Sequence, residues 1–126
     1  MKMPDDSWCG CPIRFSAAEI GDRWKLLILR DLAFKKASRF RDFAREEGIS
    51  TNILTRKLGE LAKAGIIEIE IDDGRPNRPS YRLTAKGRGL IPALIELIEW
   101  AAKWDAATEV TPQAIAHLRK TWARLS

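Results

Sequence analysis

Between Ser50 and Thr84 the hydrophobic period of the chain changes once and abruptly, and that change limits the fold more than any other feature. Leu54, Leu58 and Leu61 recur at helical spacing, Ser50 stands where an N-cap belongs and Gly65 where a helix stops, which predicts a helix of about four turns. Directly afterwards the period falls to 2. Ile67, Ile69 and Ile71 alternate with Glu68, Glu70 and Asp72, the pattern of a strand with one buried face. Asp73-Gly74-Arg75-Pro76-Asn77-Arg78-Pro79 is turn chemistry, too rich in proline to prolong a strand. Ser80–Thr84 then alternates back, with Tyr81 and Leu83 on one face, and closes a hairpin.

The flanks are helical. Pro12 at a first helical position and Gly21 as a stop predict a short helix over 12–20, and Trp24, Leu27, Ile28 and Leu32 predict a second over 23–34. A third, short helix is expected from Ser38 to Glu47, with Phe40, Phe43 and Ala44 inward and Gly48 as its stop. From Thr84 a long apolar helix is expected to reach about Ala107, bent or divided at Pro92, and Thr111-Pro112 opens a last helix over 112–125. The expected class is therefore mainly α with a small β-hairpin. One domain over 1–126 is expected, with a flexible segment at 1–10, a helix-turn-helix at 39–64, a hairpin at 66–84 and C-terminal helices at 85–125.

Composition narrows the chemistry. A chain of 126 residues buries about two thirds of its unfolded surface and needs no staple. Cys9 and Cys11 are too close together to close a stabilising loop. With no basic start followed by an apolar leader and no long apolar run, a cytoplasmic protein without a membrane partner is expected. His117 is the only histidine, and the chain has neither a glycine-rich phosphate loop nor a nucleophile beside a base. No enzymatic activity, no metal and no cofactor are expected. A Cys-x-Cys pair with His117 would lack a fourth zinc ligand.

The net charge of +5 has a location. Residues 35–88 hold 13 of the 22 Lys and Arg but only 8 of the 17 Asp and Glu, so the whole excess lies there and the remainder is neutral. A polyanion is the partner such a concentration suits, because neutralising phosphates releases condensed counterions. A basic surface serving solubility alone is the other reading.

Two helices joined by Glu47-Gly48-Ile49-Ser50 make a helix-turn-helix, whose second helix can enter a major groove. Leu54, Leu58 and Leu61 line one side of that helix, while Asn52, Thr55, Arg56, Gly59 and Lys63 cluster opposite. Asn and Arg can bond adenine and guanine edges in pairs, Thr offers a hydroxyl and a methyl, and Gly59 removes a side chain where a groove wall would come close. The candidate DNA-binding set on this helix is Ser50, Thr51, Asn52, Thr55, Arg56 and Lys63, with Asn52, Thr55 and Arg56 in the major groove. Arg75, Asn77 and Arg78 at the hairpin tip suit a narrow, electronegative minor groove. Lys35, Lys36 and Arg39 are candidate phosphate contacts.

Several motifs in order resemble one family. Cys11-Pro12-Ile13, Ile20-Gly21-Asp22-Arg23-Trp24 leading into Leu27-Ile28-Leu29-Arg30, Arg39-Phe40, Gly48-Ile49-Ser50, Leu54-Thr55-Arg56-Lys57-Leu58 and Tyr81-Arg82-Leu83-Thr84 with Gly87 resemble the HxlR-type winged helix-turn-helix transcriptional regulators over about 11–105. The resemblance implies a homodimer on operator DNA, paired through its N-terminal and long C-terminal helices and responsive to an oxidant, electrophile or metabolite. Cys9 and the final helix are additions to that pattern.

Dimerisation also has support in the residues. Leu90, Ile91, Leu94, Ile95, Leu97, Ile98, Trp100, Ala101 and Trp104 offer more apolar surface than one side facing a small core needs. Either a second copy or the last helix, through Ile115, Leu118 and Trp122, can cover it. Cys11, just ahead of Pro12, falls at an N-cap, where the helix dipole favours a thiolate. It is a candidate sensor with Cys9 as a partner across a dimer, or a thiol with a packing role only. The rival to DNA binding is a winged helix that docks an acidic protein on its basic surface.

Overall fold

The structure, a computed structural model, describes residues 10–72 and 75–125, with the backbone alone described at 72, 75–77 and 125. The element order is α1 (Pro12–Ile20), α2 (Arg23–Phe34), a 3-10 turn (Phe40–Asp42), α3 (Thr51–Lys63), β1 (Ile67–Asp72), β2 (Arg75–Leu83), α4 (Ala85–Arg88), α5 (Ile91–Trp104) and α6 (Pro112–Leu125). The expected segment 1–10 lies, but for Gly10, outside the described residues, and Cys9 with it.

The core forms where α2, α3 and the root of the hairpin meet. Ile28 and Leu29 of α2, Phe43, the leucine stripe Leu54, Leu58 and Leu61, and Ile66, Ile67 and Tyr81 are buried together, with Leu94 of α5 closing the cluster. The helix ends follow their cap chemistry. The Asp22 carboxylate accepts the N–H groups of Trp24 and Lys25 at 2.7 and 3.4 Å, Ser50 Oγ accepts from Ile53, and Thr111 Oγ1 accepts from Ala114 at 3.0 Å. Gly65, with φ +75°, stands in the left-handed conformation that ends α3.

Four expectations need correction. The third helix is not an α-helix: only Phe40–Asp42 make a 3-10 turn, and residues 43–48 continue as turns. The cause is Ala44, whose φ of +47° no α-helix accommodates. Its N–H is held instead by the carboxylate of Asp31 at 2.7 Å. Second, the Pro-rich stretch does not remain a turn, because β2 resumes at Arg75. The register runs Ile67 with Leu83, Glu68 with Arg82, Ile69 with Tyr81 and Glu70 with Ser80, then slips so that Asp72 meets Arg75. An edge strand tolerates Pro at such a slip, since no ladder donor is required there.

Third, the isoleucines of β1 do not share one buried face. Ile66 and Ile67 are buried, whereas Ile69 is 45% and Ile71 63% exposed. Only the root of this two-stranded sheet packs on helices, so alternation further out has no layer to face. Fourth, the long helix, divided at Gly89-Leu90 with Pro92 in the first turn of its second part as expected, ends at Trp104 rather than near Ala107. Gly87 is a packing requirement: a Cβ there would collide with the Ile66 carbonyl. Thr84 seals the same junction, its Oγ1 donating to Gly65 O at 2.5 Å and accepting from Gly87 N at 3.1 Å.

One node fixes the segment that leads into α3. Asp31, 1% exposed, is the buried charged side chain among the described residues. It accepts from Ala44 N and from Arg30 Nε at 2.8 Å, and Arg30 reaches on to Glu47 through Nη1 at 2.6 Å and Nη2 at 3.3 Å. Glu47 is held below its ordinary value of 4.5, by the Arg30 hydrogen bonds first and against the opposing effect of burial. Asp31→Ala leaves a buried N–H unpaired and strips Arg30 of one partner, so denaturant unfolding is expected to find about 3 kcal/mol less stability; a loss below 1 kcal/mol contradicts the node. A carboxylate with a depressed folded value stabilises above its unfolded value and loses that contribution as pH falls through the folded one. Stability is thus expected to decline below about pH 4.5, and Glu47→Gln to flatten that decline while lowering neutral-pH stability by about 1 kcal/mol.

Candidate nucleic-acid interface

α3 has two faces. Leu54, Leu58 and Leu61 are buried, while Thr51, Asn52, Thr55, Arg56, Gly59 and Lys63 are all exposed. Ser50 is exposed too, but its hydroxyl is engaged as the N-cap. Among the described residues, Arg56 and Lys63 have no ion-pair partner. Gly59 has no internal reason to be glycine: a Cβ there would meet nothing within 4 Å, and glycine inside a helix costs about 1 kcal/mol against alanine.

The adjacent Lys57 is a different case. Its ammonium pairs with Asp22 and lies 3.5 Å from Glu60, which also takes Lys25 at 3.2 Å. These pairs lock α3 onto the start of α2. Burial pushes the Asp22 carboxyl up, but the Lys57 hydrogen bond and the N–H groups of Trp24 and Lys25 outweigh it and hold the group below its ordinary value. Of the two neighbouring cations in Arg56-Lys57, one is thus free for an external partner and one is not.

The hairpin is tied to the front of α3. Tyr81 N donates to Ser38 O at 2.8 Å, Arg39 makes an isolated β-bridge with Ser80, and Phe43 meets Tyr81 edge-on with centroids 5.7 Å apart. Arg39 Nη1 donates to the Arg78 carbonyl at 2.6 Å. Arg39, Phe40, Arg41, Arg78 and Pro79 line a cleft of about 290 Å³ between the 3-10 turn and the hairpin. Arg41 and Arg45, both exposed, were not singled out from the sequence, although the Arg39-x-Arg41-x-x-x-Arg45 run lay within the basic segment. Lys35 and Lys36 are exposed at the end of α2. Arg78 is exposed, and the side chains of Arg75 and Asn77 lie outside the described residues. Arg82 is engaged within the hairpin by Glu68 and Glu70, each at 2.8 Å.

Cys11 is the N-cap of α1, half-exposed, its Sγ accepting from Arg14 N at 3.4 Å. α6 covers one flank of α5: Ile115 is buried, and Arg119 Nη2 spans Glu96 and Glu99 at 2.6 and 2.5 Å. A second flank stays bare. Leu97, Trp100 and Trp104 are 50 to 67% exposed, as are Ile13 and Phe15 of α1 at 69 and 61%. Among the described residues no helix is long and apolar enough to cross a membrane.

The profile of the HxlR-like helix-turn-helix family matches residues 19–109. An HTH-type transcriptional regulator of Methanothermobacter thermautotrophicus is 37% identical over 108 residues, 85% of this chain and 81% of the relative. Regulator Mb3122 of Mycobacterium bovis is 36% identical over 98 residues, 78% of this chain, and the match spans only 61% of that longer relative. Among solved structures, redox regulator HypR in its oxidized form aligns with 74% of this chain and 96% of its own, with a TM-score of 0.67 and 32% identity. The matched family segment stops before α6.

Proposed function

The chain belongs to the HxlR-like helix-turn-helix family, and from that premise we propose that it is a transcriptional regulator that binds operator DNA as a homodimer. The observation that carries the reading is the outer face of α3, where Asn52, Thr55, Arg56 and Lys63 are exposed around a glycine that the fold itself does not require. Asn52 and Arg56 can each bond a base edge in a bidentate manner in a major groove, with Thr55 against a thymine methyl. Gly59 lets the helix backbone approach the groove wall. Arg39, Arg41 and Lys63 neutralise flanking phosphates, while the hairpin forms a wing that carries Arg75, Asn77 and Arg78 to the neighbouring minor groove.

The bare stripe Leu97, Trp100 and Trp104 on α5, with Ile13 and Phe15 on α1, is the surface we assign to the second copy. A two-fold pair sets the recognition helices about 34 Å apart and selects an inverted repeat. Cys11, half-exposed at the N-cap of α1, is where an oxidant or electrophile would act. Equal effects of oxidant on the wild type and on Cys11→Ser would remove it from that role.

Selection of bound fragments from a random genomic library, followed by titration on the recovered site, tests the whole reading; a protein that enriches no sequence contradicts it. Arg56→Ala is expected to cost about 1 to 3 kcal/mol on that site and to relax base preference. Gly59→Ala is expected to raise unfolding stability by about 0.5 to 1 kcal/mol while weakening DNA binding, and an unchanged affinity would contradict close approach of α3. Trp100→Glu is expected to convert the dimer to monomer in sedimentation analysis without unfolding it, and a dimer that persists moves the interface elsewhere.

A further inference from the structure

Among the described residues, one cleft is lined mainly by carbon and lies away from the exposed face of α3. It sits between α1 and the α4–α5 junction, has a volume of about 250 Å³, and is walled by Phe15, Ile20, Ile66 and Leu90, with Glu19 and Lys86 at its edge. An apolar cavity of about 150 Å³ accepts benzene, whereas drug-sized ligands occupy about 300 Å³ or more. The space thus suits one ring with a small substituent.

The polar edge narrows the ligand further. Lys86 Nζ donates to Glu19 Oε1 at 3.0 Å and to Ala64 O, at the end of α3, at 2.6 Å. An ammonium carries three N–H groups, and among the described residues no acceptor takes the third. Its charge is already balanced by Glu19, so an anion entering the cleft would meet a carboxylate as well as the ammonium, whereas a neutral acceptor meets only a free donor. Nζ lies over the Phe15 ring, 5.7 Å from its centroid, so the ring forms an aromatic wall beside the donor against which the edge of a second ring can pack.

We propose that this cleft binds a small neutral molecule made of one aromatic ring bearing a carbonyl, with the ring against Phe15 and Leu90 and the carbonyl oxygen accepting from Lys86. The site lies away from the exposed face of α3 but shares Phe15 with the surface assigned to the second copy, and its test uses no DNA. In NMR titrations of the 15N-labelled full chain at pH 7, acetophenone is expected to give saturable shifts at the amides of Phe15, Lys86 and Leu90. Ethylbenzene, which lacks the acceptor, and benzoate, which is charged, are expected to bind at least fivefold more weakly. Lys86→Met is expected to erase the preference for acetophenone over ethylbenzene, and Ser16→Phe, in the lining of the cleft, to block all three. Absence of saturable shifts overturns the proposal, as does benzoate binding equal to acetophenone. Shifts that follow protein concentration rather than ligand would overturn it too, because they mark a second copy as the occupant.

Discussion

The buried carboxylate of Asp31 is the constraint on which the geometry of the interface depends. It sits near the end of α2 and binds the N–H of Ala44, thirteen positions later, in a left-handed conformation that alanine adopts only under compulsion. A buried charge is tolerated only when its hydrogen bonds are complete, and here Ala44 and Arg30 complete them. Arg30 carries the constraint on to Glu47, one residue before the turn at Gly48. In this way α2 dictates where α3 starts, and with it the direction of the side chains on the outer face.

From that start, two kinds of cation separate. Lys57 and Arg82 are spent internally, Lys57 holding α3 to α2 and Arg82 holding β1 to β2. Arg56, Lys63, Arg41 and Arg45 are exposed with no ion pair among the described residues. The distinction matters for function, because a paired charge is engaged within the fold while an unpaired one is ready to neutralise a phosphate. Net charge alone cannot make this distinction. The same holds for the apolar residues of α5, where α6 claims one flank and leaves Leu97, Trp100 and Trp104 for another surface.

Legibility differed by element for definite reasons. The two faces of α3 were readable because leucines at helical spacing between a Ser cap and a Gly stop leave little freedom. The segment before it was not: Phe40, Phe43 and Ala44 show helical spacing, but their backbone answers to Asp31, and a buried carboxylate on an apolar helix carries no local signature. The outer isoleucines of β1 alternate as a half-buried strand does, yet a period of 2 states only that residues share a face, not that a layer lies against it. Pro76 and Pro79 signalled a turn, while the register slip that admits them to β2 depends on pairing with β1. The Arg39-Arg41-Arg78 cleft joins residues almost forty positions apart, and proximity of that kind has no sequence period.

The sequence by itself determined α1, α2 and α6, the caps at Cys11, Ser50 and Thr111, the two-faced α3 and the hairpin after it, because these rest on spacing, backbone preference and local hydrogen bonds. Only the tertiary structure decided which of the available charges remain free, how far the hairpin leaves the core, and which flank of α5 stays bare. Those outcomes depend on pairings between distant residues, such as Asp22 with Lys57, Asp31 with Ala44 and Arg119 with Glu96, where solvent competes with every partner until the chain brings the two together.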